Sequence, residues 1–230
     1  MMPLAALAAS VMLGCPPPVT PTPPPPVRRI VQPRWLPGTL ITEYWPAPER
    51  WFTGRLVRAP GMLGLHRVDW LYGARGLPME GEGIGRDGRV YHFAGPYDIG
   101  WVNRIGGRTA PCRRASGYWT NGRPFWLSSP GRAVFAPGHS RTLSYWRSAA
   151  VDRRLIPFGS RIFVPAYCNT PGRGWLEARD TGGAIIGAHI DVYRSPPPAR
   201  PAGRRWGALL RGQKIFVVPP GTRPRRVPHC

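Results

Sequence analysis

Short runs of β-branched and aromatic residues, separated by glycine, proline and asparagine, recur along the chain from Gly38 onward. No internal repeat, heptad or long amphipathic helical pattern accompanies them. Many short strands with frequent turn signals are typical of a sandwich or barrel, so we expect an all-β fold. Asp87 and Gly88 supply a hairpin turn before one of these strands. The predicted strands cover residues 39–45, 89–93, 161–164, 190–193 and 214–218, and short helices are predicted at 148–154 and 205–211.

The first residues have the character of an export signal. Residues 3–14 are small or apolar and end at Gly14 and Cys15, and this stretch is too short to span a bilayer. Gly14 followed by Cys15 resembles a bacterial lipobox, in which the cysteine is acylated and becomes the first residue of the mature chain. We therefore expect residues 1–15 to direct export to the cell envelope as a membrane-anchored lipoprotein. Secretion without a lipid is the alternative.

Two flanking segments and three cysteines complete the outline of the chain. Proline dominates residues 16–37, which we interpret as a linker in the extended polyproline II conformation. Residues 221–230 are predicted to form a disordered tail. An oxidising compartment favours a disulfide between Cys112 and Cys168, with Cys230 in the tail. The alternative is that all three cysteines are free thiols.

The charge of the chain is strongly unbalanced. Basic residues outnumber acidic ones by 32 to 11, which gives a formal net charge of +21. Such a surface attracts polyanions, namely nucleic acid, anionic lipid or an acidic cell-wall polymer. The alternative explanation is the codon bias of a GC-rich genome, because Lys214 is the only lysine. The sequence contains no zinc-finger spacing, basic-leucine pattern or aromatic RNA-binding signature, so nucleic acid is not expected to be a partner.

Two carboxylates stand on either side of a glycine-rich turn. Asp180 ends a strand and precedes the turn Thr181–Gly183, where glycine permits backbone conformations closed to other residues. The chain then returns with Asp191, 11 residues later, so a fold-back can bring the two carboxylates together. Ile190 and Val192 flank Asp191, so strand alternation directs Asp191 away from the apolar side. A carboxylate inside an otherwise apolar strand is costly unless it is used or paired, which favours a functional role.

Structural roles are the alternatives for two of the aspartates. Asp180 before a turn is also an ordinary turn residue, and Asp152 before Arg153 is also an ordinary helix cap. The five histidines show no metal-binding spacing, and Gly138-His139-Ser140 is not a nucleophile elbow. We therefore expect no metal and no cofactor, and the pattern argues against a zinc or serine hydrolase.

Taken together, these segments resemble the 3D domain, named for three aspartates and shared with the MltA-type lytic transglycosylases. Asp152 falls in Ala-Val-Asp…Ile-Pro…Gly, Asp180 in Asp-Thr-Gly-Gly-Ala-Ile, and Asp191 in Ile-Asp-Val-Tyr. The strong similarity covers about residues 149–193, and a weaker one covers about 39–219. In the weaker part, the stretch Ile-Thr-Glu-Tyr-Trp-Pro from residue 41 is similar to the Thr-Gly-Tyr-Tyr opening of the MltA family.

The resemblance implies a double-psi β-barrel built from residues 38–60 and 132–220, with a small inserted all-β region at 61–131. It also implies peptidoglycan glycan strands as the substrate, with Asp191 as the catalytic acid and base and Asp180 beside it. The residues expected to support this pair are Asp152, Thr181, Gly182, Gly183 and His189.

The activity that the resemblance implies is that of a lytic transglycosylase, which cleaves the β-1,4 bond between N-acetylmuramic acid and N-acetylglucosamine and forms a 1,6-anhydro ring. Two features depart from the family pattern. Ile186 stands where a lysine or arginine is usual, and Glu80 and Glu82 stand where the pattern is amide-rich or small. The first departure favours the alternative function, a non-catalytic module that binds cell-wall glycan.

Overall fold

The computed structural model describes residues 26–73, 76–95, 134–201 and 209–230, together with the backbone of two short strands at 115–118 and 124–126. The helices are α1 Val68–Tyr72 and α2 Leu77–Glu80, with single 3-10 turns at Glu49–Trp51 and Pro165–Tyr167. The strands are β1 Arg34–Tyr44, β2 Ala47–Pro48, β3 Leu56–Val57, β4 His66–Arg67, β5 Glu82–Ile84, β6 Val90–Gly95, β7 Ala115–Tyr118, β8 Pro124–Trp126, β9 Val134–Pro137, β10 Ser148–Val151, β11 Arg161–Phe163, β12 Trp175–Asp180, β13 His189–Tyr193 and β14 Leu210–Val218.

Six strands close into a barrel in the order β1-β13-β10-β12-β11-β14. Neighbouring strands are antiparallel except in the pairs β1–β13 and β10–β12, which run parallel. Parallel neighbours need crossover connections, as a double-psi barrel has, and the predicted all-β class is confirmed. The interior of the barrel is aliphatic, and its fully buried residues include Ile41, Ile156, Ile190, Val192 and Val217.

The barrel begins inside the segment that the sequence analysis assigned to the linker. Ile30 is 2% exposed in the barrel core, and its backbone N–H donates to the carbonyl of Leu155 at 2.8 Å. The register between β1 and β14 shifts around Pro37 and Gly38, and Gly38 has a φ of 69°. This Pro-Gly pair forms a bulge, where a strand tolerates the missing proline N–H. The structure therefore moves the predicted boundary from residue 37 to about residue 30.

Strand β10 occupies a segment that was predicted to be a short helix. Its sequence, Ser-Ala-Ala-Val, has little β propensity, and alanine favours helix where nothing else decides. All four residues are buried, because β10 lies between β12 and β13 in the closed sheet. Strand pairing therefore overrides local propensity here. In the other predicted helix, residues 205–208 lie outside the described part of the chain, and residues 210–211 begin β14.

A second unit forms a separate core. Strands β2, β5, β6 and β9 make a four-stranded sheet. Its core begins at Trp45, before the predicted insertion at 61–131, and the unit contains α1 and α2 as well as strands. None of the described helices is long and apolar enough to cross a membrane. The aromatic residues of this core include Trp45, Trp51, Trp70, Tyr91 and Phe135.

The disulfide in the described part of the chain joins Cys168 to Cys230. The predicted pairing of Cys112 with Cys168 is therefore corrected, because a cysteine takes part in one disulfide at a time. Cys112, like the candidate lipidation site Cys15, lies outside the described residues. The same disulfide ties the C-terminal segment, which was predicted to be a disordered tail, to the end of a 3-10 turn.

Candidate functional site

Four residues form one row across the outer face of the barrel. In the parallel pairing of β1 with β13, Thr42 lies opposite Asp191. Asp191 in turn lies opposite Ala150 of β10, and Ala150 lies opposite Asp180 of β12. Ile190 is fully buried in the barrel core, so alternation along β13 places Asp191 on the outer face, as the sequence predicts.

The two carboxylates are separated by one strand that carries a methyl group. A register shift in β10 after Ala149 brings Asp180 into the row beside Ala150. Strands lie about 4.8 Å apart, so the backbones of Asp180 and Asp191 are about 10 Å apart. Since alanine is the side chain between them, the carboxyl groups face the same space from opposite sides.

Asp191 has the environment of a general acid. It is partly buried, and its Oδ1 accepts a hydrogen bond from the Thr42 hydroxyl at 2.8 Å. Burial raises the pKa of Asp191 to about 7, with the charges of Asp180 and Glu43 adding to the rise and the bond from Thr42 opposing it. A carboxyl group with this pKa is protonated in a large fraction of molecules at neutral pH, as proton donation requires.

Asp180 has the environment of a charged carboxylate. The Tyr44 hydroxyl donates to its Oδ2 at 2.8 Å, and the backbone N–H of Thr181 donates to its Oδ1 at 2.8 Å. The Nε of Arg141 lies 3.3 Å from the same Oδ1. Burial raises the pKa of Asp180, and these three donors oppose the rise. Because all three contacts are donors, they favour the ionised form, in contrast to Asp191.

His189 lies two positions before Asp191 on the same face of β13. Its Nε2 is 2.9 Å from the hydroxyl of Thr42, and its Nδ1 is 3.2 Å from the carbonyl oxygen of Ala184. Burial lowers the pKa of His189, so its ring is neutral at pH 7. Thr42 therefore contacts both His189 and Asp191 through a single hydroxyl group.

Two glutamates of the second unit approach the aspartate row. Glu82 is 3% exposed and accepts a hydrogen bond from the Tyr193 hydroxyl at 3.1 Å. Burial and the charge of Glu82 both raise the pKa of Asp180. Burial also raises the pKa of Glu80 to about 8, and the charge of Asp191 adds to that rise. The residues that departed from the family pattern in sequence thus border the candidate site.

Sequence reasoning missed the roles of Thr42 and Tyr44. Both belong to the stretch from residue 41 that is similar to the opening of the MltA family. That similarity was the sequence signal that could have identified them. Thr42 and Asp191 are 149 residues apart, and the parallel pairing of β1 with β13 brings them together. Parallel pairing between distant strands leaves no local mark in a sequence.

Residues 147–219 match the family model described as the 3D domain. The chain contains a 3D domain. It covers about a third of the 230 residues. Thr42 and Tyr44 lie outside it, so β1 completes a site whose three aspartates all come from the 3D domain.

Three known proteins are similar to parts of this chain. The cell wall-binding protein YocH of Bacillus subtilis (strain 168) is 37% identical over 67 residues, which are 29% of this chain and 20% of YocH. YabE of the same strain, whose name assigns it provisionally to cell wall shaping, is 41% identical over 58 residues, or 25% of this chain and 12% of YabE. The chain thus spans a fifth or less of these two relatives. A variant of the E. coli lytic transglycosylase MltA in an apo form is similar over 78% of this chain and 71% of that chain, with 17% identity and a TM-score of 0.31.

The third aspartate of the 3D domain, Asp152, anchors a loop. It is fully buried, and its Oδ2 accepts hydrogen bonds from Arg154 at 2.6 Å and from the N–H of Gly187 at 2.8 Å. Burial alone would raise the pKa of Asp152, but the bonds from Arg154 and Gly187 hold it below its ordinary value. Asp152 therefore ties the turn after β10 to the loop between β12 and β13. It does so from a turn and not as a helix cap.

The loop between β12 and β13 uses its glycines differently from the prediction. The left-handed backbone lies at Gly187, with a φ of 65°, and not at Gly182 or Gly183. Gly182 is needed for another reason, since a Cβ there would lie 2.9 Å from Cγ1 of the buried Ile185. Ile186, which replaces a basic residue of the family pattern, is partly buried in the same loop.

Proposed function

We propose that the protein is a lytic transglycosylase that cleaves the β-1,4 bond between N-acetylmuramic acid and N-acetylglucosamine in peptidoglycan and forms a 1,6-anhydro ring. The observation that carries the proposal is the pairing of Asp191, whose pKa is about 7, with Asp180, which three donors surround. The 3D domain over residues 147–219 and the resemblance to MltA-type enzymes support this reaction class.

The proposed reaction needs one proton donor and no enzyme nucleophile. Asp191 donates its proton to the glycosidic oxygen while the bond from that oxygen to C1 of N-acetylmuramic acid breaks. The C6 hydroxyl of the same sugar attacks C1, and the Asp191 carboxylate accepts the proton that this hydroxyl loses. One bond has broken and one has formed, and Asp191 ends in the protonated form in which it began.

Asp180 serves this reaction through its charge. Burial is the main cause of the raised pKa of Asp191, and the negative charge of Asp180 raises it further. The same charge stabilises the positive charge that develops at C1 as the glycosidic bond breaks. Tyr44 at the end of β1 and Arg141 in the loop between β9 and β10 hold the Asp180 carboxylate in position.

Glycan strands of the cell wall are the proposed partner, and the cell envelope is the proposed location. YocH and YabE carry names that refer to the cell wall. A formal charge of +21 attracts the acidic polymers of a bacterial wall. Acylation of Cys15 after export would hold the barrel beside this substrate, and we retain that anchor as part of the proposal.

Digestion of purified sacculi tests the activity. The full chain and its Asp191→Asn variant are incubated with sacculi, and the soluble muropeptides are quantified by chromatography. Losing a general acid typically costs ~10²–10⁴-fold in rate, and the loss here is expected at the upper end because one group is both acid and base. Glu177→Gln, in an exposed pair with Arg179, is the control and keeps the wild-type rate. Release by Asp191→Asn at the wild-type rate contradicts the proposal.

A non-catalytic glycan-binding module is the second candidate. The name of YocH, a cell wall-binding protein, and the isoleucine at position 186 favour it. A binding module co-sediments with sacculi in both the wild-type and the Asp191→Asn forms and releases no muropeptide from either. Release of muropeptides by the wild type therefore separates the two candidates, and co-sedimentation without any release identifies the binding module.

A further inference from the structure

The hydroxyl of Thr42 lies between two groups that compete for its hydrogen. It is 2.8 Å from Oδ1 of Asp191 and 2.9 Å from Nε2 of His189. A threonine hydroxyl has one hydrogen to donate, although its oxygen can accept other hydrogen bonds. Thr42 can therefore donate to Asp191 or to His189, but not to both at once.

The other side of the His189 ring fixes which nitrogen carries the hydrogen. Nδ1 faces the carbonyl oxygen of Ala184 at 3.2 Å, and a carbonyl oxygen can only accept. Nδ1 is therefore the protonated nitrogen of the neutral ring, and Nε2 is an acceptor. The lowered pKa of His189, caused by burial, agrees with a neutral ring at pH 7.

Two complete arrangements of hydrogens follow from these contacts. While Asp191 holds a proton on Oδ1, its carboxyl group donates to Thr42 and Thr42 donates to Nε2 of His189. Once Asp191 has lost the proton, Thr42 turns and donates to the carboxylate, and Nε2 loses its donor. The first arrangement satisfies all three groups, whereas the second leaves a partly buried acceptor without its partner from Thr42, which is costly.

We propose that His189 is a positioning residue that acts through Thr42 to keep Asp191 in its protonated form. His189 draws the Thr42 hydrogen toward itself, so the Asp191 carboxylate gains its stabilising bond only at the expense of the histidine. This inference rests on the proposed function for its consequence in catalysis. The proton arrangement itself is a property of the protein without substrate, so it can be tested separately.

Other ionisable groups also act on Asp191, and they set the background for any titration. They come from β1, β12, α2 and the 3-10 turn before Cys168, and none of them depends on the Thr42 hydrogen bond to His189. On β13 itself, the ionisable neighbours on the same face are His189 and Tyr193. The groups from the packed elements are Glu43, Tyr44, Asp180, Glu80 and Tyr167.

Titration of Asp191 in four proteins tests the proposal without substrate. The wild type, His189→Phe, Thr42→Val and the double variant are labelled with ¹³C in aspartate carboxyl groups and titrated by NMR, with Asp191→Asn giving the assignment. His189→Phe fills the space of the ring without an acceptor, so the pKa of Asp191 falls by about half to one pH unit. Thr42→Val removes a donor to the carboxylate, so that pKa rises.

The double variant gives the decisive result. With valine at position 42, no hydroxyl links the two residues, so replacing His189 no longer lowers the pKa of Asp191. Thr42→Ser restores the link and with it the effect of His189→Phe. If His189→Phe shifts the pKa of Asp191 equally with threonine and with valine at position 42, the ring acts by burial alone and the proposal is overturned. Thr222→Val and His229→Ala, at the C-terminal end, are the matched controls.

One measurement needs no variant and so does not depend on folding of the variants. The ¹⁵N chemical shifts of His189 in the wild type at pH 7 report which ring nitrogen is protonated. The proposal predicts hydrogen on Nδ1 and a bare Nε2, and hydrogen on Nε2 of a neutral ring overturns it. If sacculi are not cleaved but the titrations agree, the proposed function fails while the proton arrangement stands.

Discussion

Asp191 combines a position that the sequence reveals with a property that it does not. The alternation of Ile190, Asp191 and Val192 is enough to place the carboxyl group on the outer face of its strand. The pKa of about 7 depends on burial and on Thr42, Asp180 and Glu43, which come from other strands. The proposed acid could thus be named from the sequence, but its protonation could not be derived.

Because its pKa is raised, Asp191 lowers the free energy of unfolding at high pH, where it must be ionised in the folded protein. The unfolded chain ionises Asp191 near 3.8, whereas the folded chain holds the proton until about pH 7. The contribution to stability is therefore full below pH 3.8 and is lost as pH rises to 7. Asp191→Asn has no such loss, so it is expected to exceed the wild type in free energy of unfolding at pH 8, by up to about 4 kcal/mol.

Urea unfolding of both proteins between pH 5 and pH 8 measures this difference. The two stabilities are expected to converge as the pH falls and to diverge as it rises. A constant difference across this range would show that Asp191 titrates at its ordinary pKa in the folded protein.

Asp180→Asn tests how the two carboxylates influence each other. Removing the charge of Asp180 takes away one of the influences that raise the pKa of Asp191, so that pKa is expected to fall below 7. The ¹³C titration of Asp191 in Asp180→Asn measures the change. An unchanged titration would mean that the charge of Asp180 does not contribute to the raised pKa of Asp191.

At the scale of elements, strong hydrophobic patterns predicted strands well and weak ones did not. The strands around residues 41, 91, 162, 191 and 216 stand where β-branched and aromatic residues alternate or cluster. Strand β10 has only small residues, and its state is decided by its neighbours in the barrel. The row of Thr42, Ala150 and the two aspartates depends on strand order, which no local pattern encodes.

Asp152 is one of the three aspartates of the motif, but its contacts stabilise a turn and a loop and are not part of the proposed reaction. It joins the turn after β10 to the loop that carries Gly187, through bonds to Arg154 and to the Gly187 N–H. Asp152→Asn removes the charge of a fully buried carboxylate that accepts from Arg154, and is expected to lower the free energy of unfolding at pH 7 by about 2 kcal/mol. Because the pKa of Asp152 is lowered, its contribution is present above pH 3.8 and is lost as pH falls through the folded pKa.

Thermal and urea unfolding at pH 7 and at pH 3 measure the effect of Asp152→Asn. Glu177→Gln breaks an exposed pair and serves as the control, with an expected change below about 1 kcal/mol. Equal changes in the two variants would remove the anchoring role from Asp152.

At the scale of the whole molecule, composition gave wrong predictions for the proline-rich segment before Gly38 and for the C-terminal segment. The prolines before Gly38 indicated a linker, yet Ile30 fills part of the barrel core and the Pro37–Gly38 bulge lies within β1. The polar C-terminal segment indicated disorder, yet it is joined to the barrel through Cys230. Both segments are held by contacts with residues distant in the sequence, which composition does not register.

The disulfide of the C-terminal segment is expected to stabilise the whole fold. It links residues 62 positions apart, and disulfides typically stabilise a fold by about 2–4 kcal/mol. Cys230→Ser is expected to lose this amount in urea unfolding. Peptide mapping without reduction identifies the pairing directly, and a Cys112–Cys168 peptide in place of Cys168–Cys230 would contradict the structure.

The mass of the product tests the central claim most directly. Intact sacculi are digested with the full chain, and the released muropeptides are analysed by mass spectrometry. Attack by the C6 hydroxyl predicts ends of 1,6-anhydro-N-acetylmuramic acid, lighter by one water than hydrolysed ends, and their absence with Asp191→Asn. Reducing ends without the anhydro ring would make the protein a hydrolase and contradict the mechanism proposed for Asp191.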